Sequence, residues 1–151
     1  MTNDEGMTKS ENRKARVEDS VWDDGKGVVR EEPDTKPVYD LEERSALFRE
    51  AIIDFAKTIP QNPVTNRIIT QLVGASTSVG ANYVEADDAV SKKDFLKSIG
   101  TCRKEARETT HFLRLAARAV LPLQPQVRKL WLEATELHLI FSRIWRGTKH
   151  E

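Results

Sequence analysis

The sequence predicts an all-α protein: an antiparallel up-down four-helix bundle with a disordered N-terminal leader. Three observations lead there. After residue 38, apolar and small residues recur at alternating steps of three and four through four long segments, the period of one helix face. Pro60 with Pro63, and later Pro122 with Pro125, break that pattern where connections belong. Residues 1–38 lack the pattern. Connections of a few residues make neighbouring helices antiparallel. No run reads as a strand, and no internal repeat of fixed period occurs.

Residues 1–38 are crowded with charge, carry Gly25, Gly27, Pro33 and Pro37, and contain only scattered apolar residues such as Val17, Trp22 and Val28. Such a segment buries too little apolar surface to offset its ordering entropy. It reads as a leader ahead of one domain over 39–151. The other reading is a short partner-binding segment around Val21 and Trp22 that folds on contact.

The first helix has a capping box in Asp40-Leu-Glu-Glu43, then a seam of Leu41, Ser45, Phe48, Ile52, Phe55 and Ile59. Asn62 and Pro63 start the second as N-cap and N1. Its seam is Thr65, Ile68, Leu72, Ala75, Val79, Asn82 and Ala86, and it runs to about Asp88. Ser91 caps the third, with Asp94 at N3 and a stripe of Phe95, Ile99, Cys102, Ala106, Thr109, Leu113, Ala116 and Val120. The fourth places Val127, Leu130, Ala134, Leu137, Phe141 and Ile144 on its seam, with Gly147 as the residue that ends it. At 1.5 Å per residue the longest helix spans roughly 40 Å.

Composition narrows the function classes. The 24 Lys+Arg balance 24 Asp+Glu, so no global field points to nucleic acid or membrane. The lone Cys102 excludes a disulfide framework and a Cys-rich zinc site, and suits a reducing cytoplasm. No apolar run approaches the roughly 20 residues of a membrane span, and the polar, acidic N-terminus has no apolar signal core. The chain reads as cytoplasmic.

The second helix is unusual, because Ile68 to Val84 contains no charged residue. Thr70, Gly74, Thr77 and Ala81 fall opposite its seam, where a bundle helix ordinarily carries Lys and Glu. The fourth helix has apolar bulk beyond its seam in Trp131, Leu132, Leu139, Ile140 and Trp145. One core cannot cover both faces, so self-association is expected.

Catalytic constellations are weak. Glu108-Thr-Thr-His111 is half of a diiron carboxylate motif, but no second E-x-x-H follows and His111 falls opposite the core stripe. Gly74-Ala-Ser-Thr-Ser78 lacks the second glycine of a nucleophile elbow, and its hydroxyls suit bonds to carbonyls one turn back. No phosphate-binding glycine loop occurs. No catalytic residue, metal or cofactor is expected. Ser78, Asn82, Glu85 and Glu105 form a candidate polar network between the second and third helices. It is either a ligand or proton site, or a satisfied network that fixes register.

The charges of the third helix carry more. Lys93, Lys97, Lys104, Arg107, Arg114 and Arg118 share one face with Gly100 and His111, directly behind the core stripe. Residues 92–151 hold 13 Lys+Arg against 6 Asp+Glu, whereas residues 39–90 hold 4 against 8. A ridge of one sign and this length can follow a phosphate backbone, or can be an ordinary solvated face. No aromatic residue interleaves it, so binding would follow shape and charge rather than base identity.

From Gln71 to Leu115 the sequence resembles the four-helix-bundle proteins encoded in the intervening sequences of bacterial 23S ribosomal-RNA genes. The residues that carry the likeness are Ser78-Val-Gly-Ala-Asn-Tyr83, Glu85-Ala86, Ala89-x-Ser91, Asp94-Phe95 and Lys104-Glu-Ala-x-Glu-Thr109. With weaker agreement outside it, the resemblance extends from Leu41 to Trp145. It implies the same bundle, a homo-oligomeric ring of five and no enzymatic activity. It also implies kinship with accessory proteins of diversity-generating retroelements, basic barrels that bind a reverse transcriptase and nucleic acid. Two departures stand out. Gly74 occupies a place where relatives commonly carry a basic residue, and the acidic leader is unusual and suits an overextended start, with Met7 as one alternative. The expectation is a non-enzymatic RNA or ribonucleoprotein accessory factor, with a protein-interaction scaffold as the alternative.

Overall fold

A computed structural model describes residues 37–151, with side chains from Leu41 onward. The expected leader as far as residue 36, including the Val21–Trp22 segment, lies outside the described residues. Four helices follow one another: α1 (Pro37–Ala56), α2 (Pro63–Asp87), α3 (Lys92–Ala119) and α4 (Gln124–Lys149). A single 3-10 turn, Leu121–Leu123, joins α3 to α4, and no strand occurs among the described residues. The fold is the four-helix bundle that the periodicity predicts.

Two helix ends differ from expectation. Asp40 does not cap α1, which starts three residues earlier at Pro37, inside the expected leader. Proline suits the first turn of a helix, since its fixed φ is helical and its missing N–H has no partner there in any case. Gly147 does not end α4. It lies within the last turn, which continues to Lys149, and no left-handed φ calls for glycine there.

The other caps are those the sequence marks. Asn62 Oδ1 accepts from Val64 N and Thr65 N at 3.0 and 2.9 Å. Thr65 Oγ1 accepts from Asn62 N at 3.0 Å and completes a capping box. Ser91 Oγ accepts from Asp94 N at 3.0 Å. Each cap satisfies N–H groups that the first helical turn leaves without partners.

The seams meet in one core. Leu41, Phe48, Ile52, Leu72, Val79, Ile99, Leu113, Leu130, Leu137 and Phe141 are fully or nearly fully buried. Tyr83 tilts against Phe141 with ring centroids 6.0 Å apart, tying α2 to α4 through the middle. Ile59 lies beyond the end of α1 yet is buried, sealing the core under the α1–α2 turn. α3 packs along both α2 and α4, while the shorter α1 closes the bundle against α2 and α4. The Arg49 side chain of α1 lies over Gly80 of α2, in the space a Cβ would occupy.

No helix of the described residues is long and apolar enough to cross a membrane.

Candidate nucleic-acid interface

The period of α3 fixes what its outer face presents. Ile99, Cys102, Ala106, Thr109, Leu113 and Ala116 turn inward and are buried. Roughly half a turn away, Lys93, Lys97, Lys104, Arg107, Arg114 and Arg118 are all exposed, as is His111. None of the six cations is held in an ion pair with another described residue. Their charge is directed at solvent along most of the helix.

The acids of the C-terminal half are placed differently. Glu133 is 2% exposed and receives two hydrogen bonds from Arg44 of α1, from Nε at 2.6 Å and from Nη2 at 2.8 Å. Arg44 Nη2 also donates to Glu136. Burial works against the Arg44 charge, but the two carboxylates outweigh it and hold the guanidinium protonated. Burial pushes the Glu133 carboxyl above the usual carboxylate range, with Arg44 opposing the shift. Two of the six acids of residues 92–151 are thereby engaged by α1.

The polar network of four residues reduces to a pair. Asn82 Nδ2 donates to the Ser78 carbonyl at 2.9 Å and to Ser78 Oγ at 3.1 Å, all within α2. Glu85 is exposed, and neither its side chain nor that of Glu105 bonds to the pair among the described residues. Asn82 directs its amide one turn back to Ser78, and Glu85 is left facing solvent. Glu105 is half-buried, and burial, with Glu108 nearby, raises its carboxyl while Lys104 opposes.

An aromatic residue does join the basic surface, which the linear pattern of α3 does not reveal. Trp145 of α4 packs on the core and reaches α3 at Gly100, where a Cβ would meet its Nε1 at 3.4 Å. The Arg103 guanidinium carbon and Lys149 Nζ each lie 4.6 Å from the indole centroid. His138 Nδ1 donates to the Arg103 carbonyl at 3.0 Å, fixing this part of the α3–α4 seam. Trp145 belongs to α4 by sequence and to the ridge by position.

The sequence profile of the 23S rRNA-intervening sequence protein family matches residues 39–143. This chain belongs to that family. A crystal structure of a protein of unknown function from the S23 ribosomal protein family of Bacteroides thetaiotaomicron VPI-5482 is similar, with TM-score 0.65 and 25% identity. The likeness covers 74% of this chain and 99% of that one. No curated protein matches this sequence.

In this intervening-sequence protein the weaker candidates fall into place as ordinary helix chemistry. Glu108 and His111 are exposed on the outer side of α3, and no group of three or more His, Cys, Asp or Glu suited to a metal occurs among the described residues. Ser76 Oγ and Thr77 Oγ1 donate to the Val73 carbonyl at 3.2 and 2.8 Å. Cys102 is buried, its thiol donates to the Val79 carbonyl at 3.4 Å, and burial pushes its pKa up to about 12. Gly74 is exposed with open space around it.

The apolar faces separate. Thr70, Gly74 and Ala81 of α2 are exposed, and Val84 is 45% exposed. On α4, Trp131, Leu132 and Leu139 remain open, whereas Ile140 and Trp145 pack on the core.

Proposed function

We propose that this member of the 23S rRNA-intervening sequence protein family is a non-enzymatic, self-associating bundle that serves as an RNA or ribonucleoprotein accessory factor in the cytoplasm. The observation that carries this reading is the outer face of α3, where six cations stand exposed on one rigid helix. Arg44 strengthens it by engaging Glu133 and Glu136, so that the acids of α4 offset the ridge less than their number suggests. A row of fixed cations neutralises phosphates and releases their counterions, which gives affinity without base readout. The exposed, uncharged back of α2 supports assembly of identical copies, which would repeat the ridge around an axis. The partner is RNA itself or an enzyme that acts on nucleic acid, a reverse transcriptase among them.

An electrophoretic shift with structured RNA tests this. The protein retards RNA at low salt, and the variant with Lys97, Lys104, Arg107 and Arg114 all changed to Ala retards it far less. Absence of a shift, or a shift unaffected by the four substitutions, contradicts the proposal.

A second reading has its own support. Trp131, Leu132 and Leu139 leave an apolar strip on α4 that is 39–50% exposed, which suits a protein partner. In that reading the chain is an interaction scaffold, and a pull-down that survives nuclease treatment favours it.

A further inference from the structure

The cations of α3 leave a gap at Gly100, between Lys97 and Lys104, and that gap is filled from another helix. The indole of Trp145 lies against Gly100 with its Nε1 edge nearest, and is only partly buried. No hydrogen bond engages Nε1 among the described residues, so its N–H is free to meet an acceptor. Arg103 and Lys149 both lie over the same ring. The juxtaposition brings an indole donor, a guanidinium and an ammonium together, with Lys97 and Lys104 on the adjoining turns of α3. Every one of these groups donates or is positive.

We infer that the α3–α4 seam around Trp145 is an anchor for the phosphodiester backbone of RNA, extending the ridge from α3 onto α4. Arg103 and Lys149 supply the charge. Both cations stack on the Trp145 ring, which limits the conformers they lose when a phosphate binds. Gly100 leaves room beside the indole, since a Cβ there would already be in van der Waals contact with Nε1 at 3.4 Å. This inference rests on the reading of the ridge as an RNA-binding face.

The test uses the full chain with Trp22→Phe and Trp131→Phe, leaving Trp145 as the one tryptophan, excited where tyrosine does not absorb. Structured RNA added at low salt is expected to change Trp145 emission and saturate together with anisotropy of labelled RNA. Arg103→Gln with Lys149→Gln is expected to weaken RNA binding about tenfold, two phosphate contacts being lost. These exposed-end substitutions leave the core intact, and an unchanged circular dichroism melt confirms it. If RNA binds and the ridge alanines weaken it while Trp145 emission stays constant and the double Gln variant binds as the parent does, the anchor is wrong and the ridge stands. If RNA fails to bind at low salt, both fall. If inorganic phosphate at equal ionic strength produces the same emission change at millimolar concentration, the site is one for small anions and the RNA assignment is overturned.

Discussion

Arg44 of α1 and Glu133 of α4 grip each other through two hydrogen bonds of 2.6 and 2.8 Å, across 89 residues of chain. The carboxylate is fully enclosed, so the pair closes the bundle where its first helix meets its last.

Breaking the pair from one side leaves an uncompensated buried charge. Arg44→Met is expected to lower unfolding free energy by about 3 kcal/mol or more in urea titrations. Arg44→Met combined with Glu133→Leu is expected to recover most of that loss, since a well-packed apolar pair needs no desolvated partner. A double variant as unstable as the single one would mean that the geometry of the pair, rather than its charge balance, holds α1.

The direction of the Glu133 shift sets a pH dependence. Its folded pKa is raised, first by burial, so the native state binds this proton more tightly than the unfolded chain. Stability from that proton is complete below the ordinary glutamate value of about 4.3 and is lost as pH rises through the higher folded value. Glu133→Gln is expected to flatten this segment of the stability–pH profile, as melting in a pH series would show.

Cys102 behaves as part of the core. With its pKa pushed up to about 12, the thiol is expected to resist a disulfide reagent at pH 8 in the native protein and to react at once in urea. The raised value also means that its contribution to stability is present below about 8.5, the unfolded value, and disappears as pH rises toward 12. Fast native labelling would show that α2 and α3 part readily at the Cys102–Val79 contact.

The uncharged back of α2 is expected to be the contact between copies. Light scattering should give a mass that is a multiple of 17.2 kDa, and Thr70→Glu with Ala81→Glu should shift it toward the single chain. Both positions are exposed, so the helical content of the variant should not change.

Most of the fold was legible because helical periodicity is a local property. The seams over Phe48, Leu72, Leu113 and Leu137 follow from spacing alone, and Asn62 and Ser91 cap by reaching only two or three residues ahead. What escaped depends on helix–helix geometry. Arg44 and Glu133 are surface residues by type, and no pattern within either helix marks them as partners 89 positions apart. Trp145 reads as surplus bulk in the pattern of α4, since packing between helices and not spacing sets Gly100 of α3 as its neighbour. Glu85 is exposed and Glu105 half-buried without bonding to the Ser78–Asn82 pair, because a position near the seam fixes the side of the helix and not the direction the side chain takes. Helix ends were the other weak point, at Pro37 and Gly147, since proline and glycine each suit more than one position near a terminus.

The ridge of α3 is tested most directly by the salt dependence of RNA affinity. With six cations engaged, a plot of log K against log salt should have a slope of about −4, falling to about −1.5 when Lys97, Lys104, Arg107 and Arg114 become Ala. Equal slopes for parent and variant, or no measurable affinity at the lowest salt, would contradict the account.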